Sequence, residues 1–118
     1  MKRDDEYLRK LLFEFEEIEE WLFMMPGLTL DSSFEDRREQ YHILLMIDAG
    51  LAIEVGRSTF RVTNKGHDFL EAIRDEGIWN KTKAAVAETG GSATLEIFTA
   101  LAKGFLKKKI EDHTGIAL

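Results

Sequence analysis

The 118-residue chain carries 16 Lys and Arg against 22 Asp and Glu, a net charge of −6, and is 44% hydrophobic. That size and balance suit one globular domain rather than a disordered segment. With no cysteine, disulfides, thiolate metal sites and a cysteine nucleophile are excluded. The charged opening residues and the lack of any apolar run near the roughly 18 residues needed to span a bilayer predict a cytoplasmic protein without membrane contact.

Leu8, Leu11, Leu12, Phe15, Ile18, Leu22 and Met25 recur at three- and four-residue steps and predict a long first helix, ended by Pro26-Gly27. Phe13, Trp21, Phe23 and Met24 widen its apolar face enough for two partners. Leu28-Thr29-Leu30 reads as a short edge strand. Ser32 and Glu35 form a capping box for a second helix running to Ala49, with Gly50 as its stop. Two β-rich runs at 51–55 and 59–63 flank the turn residues Gly56-Arg57-Ser58, a hairpin signal. Thr63 or Asn64 then caps a third helix to about Arg74. A fourth helix around Trp79, Thr82 and Val86 ends at Gly90-Gly91. A fifth, capped by Ser92, bears Leu95, Phe98, Leu101, Ala102, Phe105 and Ile110, with Lys107–Lys109 near its negative end.

Helix, Ala-Gly-Leu turn, hairpin and helix resemble the second half of a winged helix-turn-helix. The run Tyr41 to Leu51 looks like a recognition helix entering its wing, and Arg61 to His67 like the wing strand returning to the closing helix. More narrowly, the stretch from Gly66-His67-Asp68-Phe69-Leu70 through Ala72-Ile73-Arg74-Asp75 to Ile78-Trp79-Asn80-Lys81-Thr82-Lys83 closely resembles a bacterial and phage family known as domain of unknown function 2513. The Tyr41-His42, Ala49-Gly50-Leu51 and Gly90-Gly91-Ser92 runs match it too. The resemblance implies a winged-helix-like fold and frequent prophage occurrence, and no established activity or catalytic residue. The space between Met25 and Ser32 is too short for the usual first helix of a helix-turn-helix, which weakens standard major-groove docking.

The reading of the chain is therefore α+β, mostly α. It is one winged-helix-like domain over 1–118 with a core at about 28–75, a two-stranded wing, a long N-terminal helix and two C-terminal helices over about 78–111. On the second helix, Tyr41, Leu44 and Leu45 read as the core face, leaving Glu35, Asp36, Glu39, Ile43 and Met46 outward. Acids followed by an apolar patch suit a protein surface better than base edges, which are read by Arg, Lys, Asn or Gln. A protein interface is accordingly expected at Ile43, Met46, Trp21, Phe98 and Phe105, serving homodimerisation or a separate partner. The alternative is a DNA-binding regulator using the 34–49 helix and the 51–63 wing through Arg37, Arg38, Gln40, Arg57 and Arg61. Residues 35–67 are electrically neutral and residues 1–25 acidic, so the basic stripe of a dedicated DNA binder is missing. His42, His67 and His113 lack metal-ligand spacing, and the glutamates of the first helix read as a solvated face. No catalytic residue, metal or cofactor is expected.

Overall fold

A computed structural model describes residues 1–91 and 93–118. Its described elements are α1 (Asp5–Glu17), β1 (Phe23–Met24), α2 (Phe34–Asp48), β2 (Ala52–Glu54), β3 (Thr59–Val62), α3 (Asn64–Arg74), α4 (Glu76–Glu88) and α5 (Leu95–Thr114). The class is α+β and mostly helical, as expected. The chain gathers into two compact units, Met1–His67 and Asp68–Leu118, so α3 begins in the first and continues in the second.

In the first unit, Asp4 caps α1 by accepting from Tyr7 N–H at 3.1 Å. Tyr7, Leu8, Leu11, Leu12 and Phe15 form its buried stripe. The helix stops at Glu17, well short of Met25, because Ile18 turns extended. Glu14, Glu16, Glu17, Glu19 and Glu20 explain the early stop. Their like charges repel at three- and four-residue spacing, and the last turn of α1 holds no basic residue to complement its negative end. Phe23 gains more as a strand residue, lying 5.0 Å from the Phe15 ring and 5.5 Å from Phe60.

That strand makes a three-stranded antiparallel sheet of order β1-β3-β2. Phe23 pairs with Phe60 and Met24 with Thr59, while Ala52 pairs with Val62 and Glu54 with Phe60. The predicted two-stranded wing thus gains a third strand. Leu28-Thr29-Leu30 is no strand; Ser32 N–H donates to Thr29 O at 3.1 Å and closes a turn.

The cap of α2 is Ser33, whose hydroxyl accepts from Asp36 N–H at 3.1 Å. Ser32 is already engaged by Thr29 N–H at 2.7 Å, so it cannot take the capping role predicted for it. The buried face of α2 is His42, Ile43 and Met46. Ile43 and Met46 are fully buried, which overturns their placement on an outward interface; Leu44, assigned to the core, is exposed instead. Residues 41–47 are apolar on nearly every side, so periodicity alone leaves the helix free to rotate. His42 sets the phase. Its Nε2 accepts from Asp4 N–H at 2.9 Å, and its Nδ1 lies 2.8 Å from Arg38 O. Since both neighbours are committed to one role, the ring must be neutral with its proton on Nδ1.

Beyond the hairpin, Thr63 Oγ1 accepts from Gly66 N–H at 3.1 Å and donates to Gly50 O at 2.6 Å. Gly66 enters here under close contact. A Cβ at this position would sit 2.1 Å from Leu51 O and 2.6 Å from Val62 Cγ1.

The second unit is built on α4 and α5. Asp75 caps α4 by accepting from Ile78 N–H at 3.1 Å and is ion-paired with Lys109. Trp79 and Phe98 pack with ring centres 5.3 Å apart, and Thr82 donates to Ile78 O. Phe98 is 2% exposed, a core residue of this unit and not the interface residue predicted. The cap predicted at Ser92 falls outside the described residues; Thr94 caps α5, accepting from Ile97 N–H at 3.2 Å.

Candidate protein-interaction surface

Between α1 and α2 the chain runs as a strap whose backbone is pinned and whose apolar side chains face solvent. Phe23 anchors one end under Phe15 and Phe60. Met25 N–H donates to Ser58 O at 2.8 Å, and Gln40 Nε2 donates to Pro26 O at 3.3 Å. Arg37 Nη1 holds the far end through Ser32 O at 2.7 Å. On this frame Ile18, Trp21, Leu22, Met24, Leu28, Leu30 and Phe34 are all exposed, Trp21 at 62% and Met24 at 80%. So many large apolar groups on one short segment exceed the scattered exposure normal for a soluble surface.

The charge of the segment is one-sided. From residue 11 to residue 36 there are eight acids and no Lys or Arg. The field of this region shows on its neighbours. Burial pushes the Glu39 carboxyl upward, and Asp36 and Glu14 add to the effect. Burial likewise raises the Tyr7 phenol, with Glu39 and Glu35 contributing. Asp4 moves the other way, held down mainly by the Tyr7 N–H at its carboxylate and further by Arg38.

The residues predicted to contact DNA divide into two groups. Arg38 is spent inside the unit, bonded to Asp4 Oδ2 at 2.7 Å and stacked 3.9 Å from the Tyr7 ring centre. Gln40 and Arg37 hold the strap through the bonds just described. Arg57 and Arg61 remain exposed on the hairpin, Arg57 at its turn and Arg61 on β3. Of the predicted interface residues, Trp21 is exposed and Phe105 is half-buried in the second unit. Met24, read from the sequence as part of a broad helical apolar face, belongs to the exposed set, as do Leu28, Leu30 and Phe34, which were not singled out for an interface. The acid-only run with interspersed apolar residues was the signal that could have found them.

Among the described residues no three His, Asp or Glu side chains converge as metal ligands would, and no helix is long and apolar enough to cross a membrane.

The family described as "Hypothetical protein (DUF2513)" matches residues 2–92. The chain belongs to this family. Residues 2–92 of the DUF2513 match take in α1 to α4, the sheet and the whole strap. A protein of Haemophilus influenzae, described as "Uncharacterized protein", is similar at 23% identity over 93% of this chain and 99% of its own length. No solved structure gives a significant match.

Proposed function

We propose that this chain is a protein-interaction or assembly module built on a winged-helix-like scaffold, and that the strap at residues 18–34 is its docking surface. The observation behind the reading is the union of a hydrogen-bonded backbone, exposed apolar side chains and a run, 11–36, that holds eight acids and no Lys or Arg. Such a surface suits a partner segment that presents apolar side chains flanked by Lys or Arg. Pre-organisation matters here, because a strap already held in place loses little freedom on binding.

Trp21 is a built-in reporter. A synthetic amphipathic peptide of alternating leucine and lysine blocks should shift its fluorescence to the blue on titration. The Trp79 signal comes from a core position and should stay constant. A double variant Leu28→Ser, Leu30→Ser should bind the peptide at least tenfold more weakly while keeping its circular dichroism. Equal binding by that variant would count against the strap.

DNA binding is the competing reading, supported by the exposed Arg57 and Arg61. It predicts retention of duplex DNA at low salt that is lost in an Arg57→Ala, Arg61→Ala variant, since phosphate contacts are strongest when counterions are dilute.

A further inference from the structure

The second unit offers a different surface, on the side of α5 away from Trp79. Ile97, Ala100, Leu101, Gly104, Phe105 and Lys108 line a shallow groove of about 440 Å³. Ile97 is 53% exposed, and Ala100 and Gly104 are exposed with no bulk over the helix backbone. A Cβ at Gly104 would meet nothing within 4 Å. Small residues four apart let another helix approach closely, and the larger Ile97, Leu101 and Phe105 beside them provide apolar contact.

Charge identifies the occupant. Glu96 lies one turn before Ala100, and Lys107 and Lys108 lie about one turn after Gly104. Among the described residues, none of the three is in an ion pair, whereas the adjacent Lys109 is held by Asp75. We propose that this face pairs with a second copy of itself, antiparallel, about a twofold axis between Ala100 and Gly104. That axis sets Ala100 of one copy against Gly104 of the other. It also sets Glu96 against the other copy's Lys107 and Lys108, twice per dimer. A parallel pairing would oppose lysines to lysines and glutamate to glutamate. Antiparallel packing also opposes the two helix dipoles favourably. Lys103 falls close to its own copy in either orientation, so the Glu96 pairs with Lys107 and Lys108 are what favour the antiparallel, isologous arrangement.

The stripe extends along a helix of 20 residues, roughly 30 Å at 1.5 Å per residue. One helix pair of that length falls at the small end of protein interfaces, so the dimer should form in the micromolar range or weaker. This inference does not rest on the strap, which lies on the other unit.

Sedimentation over a wide concentration range tests it. The wild-type chain should pass from monomer to dimer, and Gly104→Arg should remain monomeric at every concentration. Glu96→Lys alone should weaken dimerisation about tenfold or more. Combining it with Lys107→Glu and Lys108→Glu should restore it. Urea unfolding of each variant separates lost dimer from lost fold. A chain that stays monomeric at millimolar concentration overturns the proposal. So does a dimer indifferent to Gly104→Arg, or one that the charge reversal fails to restore. Because Leu28→Ser, Leu30→Ser leaves α5 untouched, failure of the dimer and failure of peptide docking are read separately.

Discussion

His42 joins the start of α1 to the middle of α2 through two backbone partners in a fully buried setting. His42→Ala removes the acceptor for Asp4 N–H and should cost about 1–3 kcal/mol in urea unfolding, the range for stranding a polar group. Two glycines should behave oppositely when changed to alanine. At Gly66 the new methyl collides with the Leu51 carbonyl, so a loss of about 3 kcal/mol or more is expected. At Gly104 it meets open space within a helix, and α5 should gain about 1 kcal/mol, measured on the monomer at low concentration. The carboxylates define the acid response. Asp4 and Asp75 titrate below the ordinary value of 3.8, Asp4 mainly through the Tyr7 N–H and Asp75 mainly through Lys109. Their stabilising contributions are complete above that value and disappear as pH falls through the lowered ones. Asp4→Asn keeps a capping oxygen but loses the charge, so it should flatten the decline in unfolding midpoint below about pH 4. Glu39 has the reverse sign: its raised value makes the charged form a burden at neutral pH. Glu39→Gln should therefore raise the neutral-pH midpoint, with the advantage shrinking as acid protonates Glu39 in the wild type.

At the level of elements, Ser33→Ala should cost about 1 kcal/mol as the loss of an N-cap. Ser32→Ala should instead loosen the turn closed through Thr29. The helix–hairpin–helix at 34–74 was legible because Gly50, the hairpin turn residues and Thr63 are local signals acting where they stand in the chain. Two features were not. The end of α1 depended on a competition between helical periodicity and glutamate repulsion, and Phe23 settled it through contacts with distant Phe60. The rotation of α2 depended on His42 meeting Asp4, a pairing that no window of sequence contains. The same rotation carried Ile43 and Met46 into the core and left the apolar surface to the strap. Trp21 was legible as an exposed apolar residue only in part, since it lies at a bend after α1 and not in the predicted helix.

Over the whole chain, charge is unevenly distributed along the sequence. The run 11–36 has no cation, whereas α5 carries Lys103, Lys107, Lys108 and Lys109. Added salt should weaken docking of the leucine–lysine peptide without abolishing it, because screening removes the charge attraction and leaves the apolar part. Calorimetric titrations at several ionic strengths separate the two. Affinity that vanishes at high salt would show that the exposed apolar groups contribute little.

The short strand β1 has a kinetic consequence. The β2–β3 pairing closes over a tight hairpin, but Phe23 must find Phe60 across a long stretch of chain. Closing a longer loop costs more entropy for fewer bonds, so this clasp should form after the hairpin and open before it. Hydrogen exchange would show the order: Met25 N–H, bonded to Ser58 O, should exchange well before Val55 N–H, bonded to Thr59 O. A ligand that binds the closed strap should suppress that opening, so exchange at Met25 N–H should slow on binding while Val55 N–H stays unchanged.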